Sequence, residues 1–398
     1  MPNFSGVWSL SSQLQAIGDQ TWPMSPAAPT SVTAAAGDTQ ATISFSAPSF
    51  EGIPTPITGY LATSNPSGIT ATGSSSPLTV TGLTNGTAYT FGVQATNAVG
   101  YGAAGTSGSV SPAAPRAVFG GGNDGSSSNV MDYIDMSTTG NATDFGDLVL
   151  PQEKISGCAS STRGIFWGGN DGASLETINY ITITTTGNAS DFGNLDPYAS
   201  DGAACSNETR GIIAATGGVV ASYITIASTG NSANFGNLTG SANISQLGAC
   251  ASTTRGVFAG GIRGSTSNII DYVTIDTTGN ATDFGDLIDA TRGLDGASNS
   301  TRGVFGGGGG FGSGNVIQYI TIASTGNSTD FGDMLASTGG TGVAASSTRI
   351  TFGGGSAGGN SNVIQYITIA SAGNATDFGD LTVGREILGG LSNGHGGL

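Results

Sequence analysis

One line of about 47 residues is written six times along this chain, and no other feature constrains its fold so strongly. The fifth copy is the clearest. It runs Arg302-Gly-Val-Phe-Gly-Gly, a loop, Asn315-Val-Ile-Gln-Tyr-Ile-Thr-Ile, Thr325-Gly-Asn, Asp330-Phe-Gly-Asp, a second loop and a run of small residues. A period this long, rich in glycine and β-branched residues, signals a repeat architecture. The copies are marked by Arg116, Arg163, Arg210, Arg255, Arg302 and Arg349, and by the central tyrosines 133, 180, 223, 272, 319 and 366.

Each copy splits into four strand-sized pieces: a small-residue run such as Gly342-Val-Ala-Ala, a strand entered through the arginine, a strand around the tyrosine, and a last strand around Asp-Phe-Gly. Four antiparallel strands per repeat predict a propeller blade. The order of small strand, Gly-Gly strand and two aromatic strands resembles the kelch repeat, which runs near this length. Phenylalanine stands where the kelch fourth strand usually carries tryptophan. The resemblance implies a six-bladed β-propeller over residues 115–398.

The copies begin on the second strand of a blade, while the chain ends in Leu388-Gly-Gly-Leu-Ser-Asn, a small strand with no blade of its own. Insertion of that strand beside residues 116–150 is expected to close the first blade and leave no bare edge. The small strands are expected nearest the axis, where crowding excludes bulk. They carry Cys158, Cys205 and Cys250 at matching positions. No Cys-x-x-Cys pair suggests zinc, so the thiols read as small buried residues without cofactor or metal.

Two segments precede the repeats. In residues 1–25, Leu10, Leu14 and Ile17 fall at helical spacing, with Ser9 placed to cap and Gly18 to terminate. A helix this short is marginal alone, so Trp8, Leu10, Leu14 and Trp22 are candidate anchors, either on a partner or on the next domain. Residues 26–114 are bounded by Pro26-Ala-Ala-Pro and Pro112-Ala-Ala-Pro and carry alternating short runs, which predict a β-sandwich. Within them, Gly82-Leu-Thr-Asn-Gly-Thr-Ala-Tyr89-Thr-Phe resembles the E–F corner of a fibronectin type III domain, with Tyr89 as the corner tyrosine and Phe45 where tryptophan is frequent.

The chain is therefore read as all-β. Its net charge of −16, with Lys154 as the single lysine, argues against nucleic-acid partners. No run of eighteen apolar residues occurs, which argues against membrane insertion, and the first residues lack the pattern of a secretory signal. His395 is the only histidine and stands close to the end, while Asp-Phe-Gly-Asp recurs in nearly every copy. Acid–base or metal chemistry is hard to assemble from these, so no enzyme is expected.

Comparison among the copies separates constant positions from free ones. The Thr-Arg-Gly and Thr-Gly-Asn turns hardly change; their glycine and asparagine are expected to supply positive φ, and the arginine to pair with an Asp-Phe-Gly carboxylate or bond turn carbonyls. The opposite loops vary, and rigid scaffolds display binding residues on such loops, although unconstrained loops also drift. The candidate receptor-facing residues are Asn123, Asp124, Lys154, Asn170, Asp171, Tyr198, Arg263, Arg292, Phe311 and Arg385. The leader, the sandwich and the glycine-rich blades together resemble virion and tail-fibre proteins of marine bacteriophages. That resemblance implies a virion location, attachment to other virion proteins through the leader, and host-surface glycan as ligand. A secreted adhesin or lectin and a pure scaffold remain the alternatives, with homo-oligomerisation open.

Overall fold

The structure is a computed structural model that describes residues 9–18, 22–53, 56–214, 218–240, 243–309 and 314–398. Among the described residues the structure is all-β apart from one short helix, and the chain divides into two compact units, Met1–Ala114 and Pro115–Leu398.

In the first unit the helix spans Leu10–Gly18. Ser9 caps it, its Oγ accepting from the Ser12 amide at 3.2 Å, a standard way to satisfy a free first-turn N–H. Leu10 and Leu14 lie one turn apart and are 74% and 62% exposed. Ala16 is buried, and its carbonyl accepts from the half-buried Trp22. Trp8 lies outside the described residues.

The sandwich pairs a three-stranded sheet (Thr30–Gly37, Gln40–Ser46, Leu78–Thr81) with a four-stranded one (Thr70–Gly73, Gly59–Asn65, Thr90–Asn97, Gly100–Thr106). Alternate residues point inward along the strands, as period-2 side chains must when one sheet face is covered. Ile43, Val80, Phe91 and Val93 fill the core, and Phe45 packs on Tyr60 with ring centroids 4.7 Å apart. The Tyr89 hydroxyl accepts from the Thr84 amide at 3.2 Å, pinning the corner to its own strand.

The second unit contains six four-stranded antiparallel sheets. Five follow chain order, as in Ser156–Ala159, Arg163–Trp167, Thr177–Thr182 and Ser190–Asn194. The sixth is assembled from both ends of the unit. Gly389–Ser392 pairs antiparallel with Arg116–Gly120, Gly389 opposite Gly120 and Ser392 opposite Ala117. Each small-residue strand touches the small-residue strand of the next sheet, and Gly389–Ser392 touches both Gly342–Ala345 and Ser156–Ala159. The arginine strands are buried at every position after the arginine. Sheets covered on both faces read as continuous apolar runs rather than alternating ones.

One end of this unit is stitched from sheet to sheet. The glycine amide of each Thr-Gly-Asn donates to the Asp-Phe-Gly phenylalanine carbonyl of the preceding sheet, as Gly187 does to Phe145 at 2.7 Å and Gly140 to Phe378 at 2.8 Å. The asparagine Oδ1 accepts from the amide that follows the Asp-Phe-Gly glycine: Asp147 to Asn188 and Asp380 to Asn141, both at 3.1 Å. Asparagine therefore serves here through its side chain, and none of these asparagines has positive φ. The Asp-Phe-Gly glycine needs its missing side chain. At Gly146, φ is 137°, and a methyl would meet the Gly187 carbonyl oxygen at 2.5 Å.

The repeating arginines also act between sheets. Each guanidinium stacks on the tyrosine of its own sheet, 4.3 Å above the ring for Arg116 and Tyr133. Its Nη1 then donates to a carbonyl of the next: Arg116 to Ile183 (3.0 Å), Arg163 to Ile226 (2.9 Å), and finally Arg349 back to Met136 (2.9 Å). The expected alternative, a pair with the Asp-Phe-Gly carboxylate, is absent among the described residues, whose three ion pairs lie elsewhere.

Candidate functional site

The loops opposite the stitched end bridge neighbouring sheets in pairs, Asn123 with Glu386 and Glu153 with Asn170. Asn123 and Asn170 fold their own turns, their Oδ1 atoms accepting from Gly125 at 2.9 Å and Gly172 at 2.7 Å. This Asx-turn chemistry leaves Asp124 and Asp171 exposed at the tips. Tyr198 is 49% exposed, and Arg292 is exposed as well. Phe311 lies outside the described residues. The loops leaving the Asp-Phe-Gly strands add exposed apolar residues that sequence reasoning passed over: Val149, Leu150, Ile288, Leu335 and Val383. Their signal was a hydrophobic residue one or two positions after the buried leucine or methionine that follows the strand.

Two expected surface residues are interior. Arg385 is fully buried, its Nη2 2.5 Å from Asp132 Oδ2 and its Nη1 2.9 Å from the Gly121 carbonyl. Arg263 is buried, its Nη1 2.5 Å from Asp271 Oδ2. Both are corrections to the reading of these loops as uniformly exposed, and the reason is charge. The tyrosine strands carry one buried polar residue each, and it hydrogen-bonds a neighbouring loop. Neutral residues do this for Asn179, which accepts from Val149, and for Gln318, which accepts from Ile288. Asp132 and Asp271 hold that position with a carboxylate, and a buried charge requires a partner. Burial pushes the Asp132 carboxyl up and Arg385 down, and each opposes the other's shift. The signal was present among the copies, as an aspartate where the others hold neutral side chains.

Where the loops meet the small strands, six residues stand at equivalent positions: Lys154, Asp201, Gln246, Gly293, Gly340 and Ile387. All have positive φ, between 51° and 67°. Their backbones form a closed relay in which each amide donates to the preceding carbonyl, from Asp201 to Lys154 (3.1 Å) through Ile387 to Gly340 (2.6 Å) and Lys154 to Ile387 (2.8 Å). Lys154 Nζ lies 3.9 Å from Asp201 Oδ2. Below this collar is a cavity of about 100 Å³ lined by all six small-residue strands. Between collar and cavity lies Asp295, whose Oδ2 accepts from the amide and the hydroxyl of Thr341, both at 2.8 Å. Burial raises its carboxyl to about 7, against the two bonds from Thr341.

At the far end of the cavity the chain terminus folds across the small strands. The Gly396 amide donates to the Ser298 carbonyl at 2.8 Å. His395 lies 2.8 Å from the Ala159 carbonyl through Nε2, while its Nδ1 accepts from the Gly397 amide at 3.1 Å. That pair of partners selects the neutral tautomer with its proton on Nε2. His395 is thus a held, half-buried residue, and its desolvation lowers its pKa. Because the folded value lies below the unfolded one of about 6.5, the stability it contributes is complete above that pH and is lost as pH falls through the interval between the two. Denaturant titrations from pH 8 to 5 should therefore show wild type weakening relative to His395→Gln, which keeps a donor and an acceptor without titrating. Asp295 is present in both chains, so its opposite slope cancels.

The cysteines are free and buried, and burial raises Cys205 to about 12 and pushes Cys158 and Cys250 well up too. They are matched to glycines. A methyl on Gly211 would lie 2.8 Å from Cys158 Sγ, one on Gly256 2.7 Å from Cys205 Sγ, and one on Gly303 2.5 Å from Cys250 Sγ. In the two copies where Arg-Gly becomes Arg116-Ala or Arg349-Ile, the facing cluster holds Ala344 or Ala297 instead of cysteine. Volume is conserved across each sheet interface. Gly211→Ala should cost about 1–3 kcal/mol by overpacking, and Cys158→Ala about 1 kcal/mol by its void. The double variant should be more stable than the sum, with a coupling of at least about 0.5 kcal/mol in denaturant titrations.

Comparison with known families assigns one part of the chain: residues 27–111 match the fibronectin type III domain. A search of the curated proteins finds no match for the chain.

Proposed function

We propose that residues 115–398 form a six-bladed, kelch-like β-propeller and that the protein is a non-enzymatic virion component of the tail-fibre or appendage type. In this reading the fibronectin type III domain is a spacer, the leader joins the chain to other virion proteins, and the loop face attaches to host-surface glycan. The observation that carries it is the asymmetry of the repeat unit. One end is bound sheet to sheet by the Thr-Gly-Asn turns, whereas the other presents Asp124, Asp171, Tyr198 and Arg292 together with Val149, Ile288, Leu335 and Val383. Exposed apolar side chains gathered among polar ones mark interaction surfaces. Leu10 and Leu14, exposed on one face of the leader helix, support its role as the attachment point.

The propeller reading is supported by the closed relays of backbone and arginine hydrogen bonds, each of which returns from the last repeat to the first. Mass spectrometry of purified phage particles and of culture supernatant tests the assignment. The chain is expected in the particles at stoichiometric level, and recovery only from supernatant would favour a secreted adhesin. Labelled full-length chain should bind host cells, and Tyr198→Ala with Asp171→Ala should reduce that binding. Particle incorporation without any cell binding would leave the scaffold role.

A further inference from the structure

The collar and the cavity beneath it form a blind pocket. The terminal segment from His395 covers one end, and the mouth opens among the variable loops. Most of the collar is satisfied by its own backbone relay, so its side chains are free to differ without loss of structure. Lys154, Asp201 and Gln246 stand on three successive repeats, and Gly293 and Gly340 leave the facing wall without side chains.

Two groups in this mouth have hydrogen-bonding capacity that the protein does not use. The amide oxygen of Gln246 is buried without a hydrogen-bond partner, a condition that is costly and rare in folded chains. Asp295 receives both Thr341 donors on one oxygen, Oδ2. Against these acceptors stands the Lys154 ammonium, only loosely tied to Asp201 at 3.9 Å.

The mixture selects a ligand class. A cation would meet Lys154, and an anion would meet Asp201 and Asp295, with Glu153 adding to the field at Asp201. A neutral molecule whose hydroxyls both donate and accept satisfies every group at once, donating hydrogen bonds to Gln246 and the carboxyls and accepting one from Lys154. We infer that the mouth formed by Lys154, Asp201, Gln246 and Asp295 is a binding site for a neutral polyhydroxylated ligand, the vicinal-hydroxyl edge of a sugar. This deepens the attachment reading and rests on it only for the source of the sugar.

The test is saturation-transfer NMR on the full-length chain with D-glucose, D-galactose and D-mannose in turn, using ethylammonium chloride and sodium acetate as charged competitors. At least one hexose should receive saturation with a dissociation constant on the order of 1 mM. Gln246→Met and Lys154→Met, each checked for an unchanged melting temperature, should each weaken it about tenfold, and neither competitor should displace it. Absence of signal from all three sugars, equal signal in the variants, or displacement by either ion would overturn the inference. Host-cell binding separates the two ideas. Cell binding that persists without hexose binding sinks the pocket and leaves attachment standing, whereas hexose binding without cell binding does the reverse.

Discussion

A chain ending at Arg385 should lose its cooperative unfolding transition and aggregate. The deletion removes Gly389–Ser392 and bares the edge of Arg116–Gly120, a row of unpaired backbone groups open to another chain. It takes away Leu391, whose methyls fill the space over Gly164, and Leu388, buried with Phe119. It also opens the collar at Ile387 and releases Asn393, whose Oδ1 accepts from the Arg116 amide at 2.7 Å. These losses fall on one sheet and on its interfaces with both neighbouring sheets, so they should act together rather than as a sum of small terms. Calorimetry and light scattering of the truncated chain provide the measurement. An unchanged, monodisperse melting profile would show that the terminal strand is dispensable.

Arg385→Met should destabilise the repeat unit by about 3–5 kcal/mol, because it leaves Asp132 charged and buried without a partner. Thr382 Oγ1 still donates to Asp132 at 2.5 Å, but one hydroxyl does not replace a guanidinium. A neutral version of this contact already exists in the chain. At the corresponding positions one repeat on, the amide of Asn179 donates to Gln152 Oε1 at 2.9 Å. Arg385→Gln combined with Asp132→Asn copies that pair and should recover most of the loss. Guanidinium chloride titration of the three chains checks the order. A single variant within 1 kcal/mol of wild type would mean that Asp132 takes up a proton when its partner is removed.

The repeat explains why so much was legible. Six copies of one line act as an internal comparison, and each copy states its four strands through glycines, an aromatic and a turn. Tyr89 likewise announced its corner through Gly82-Leu-Thr-Asn-Gly, and Ser9 its cap. The misreadings at Arg263 and Arg385 have one cause. An arginine in a variable loop looks like a surface charge until its partner is found, whether that partner lies 253 residues away, as Asp132 does from Arg385, or 8, as Asp271 does from Arg263. The collar was hidden for a different reason. Lys154, Asp201, Gln246 and Ile387 share no residue type, since what they share is a left-handed backbone, and the relay uses only amides and carbonyls.

Local chemistry was thus enough to determine the strands, the turns and the sandwich, because each depends on neighbours a few residues away. Tertiary structure alone decided which charges are buried, which thiol faces which glycine, and which polar groups converge on the mouth of the cavity. Those outcomes depend on pairs that only the folded loops and sheets bring together, and a single strand carries no record of what will lie against it.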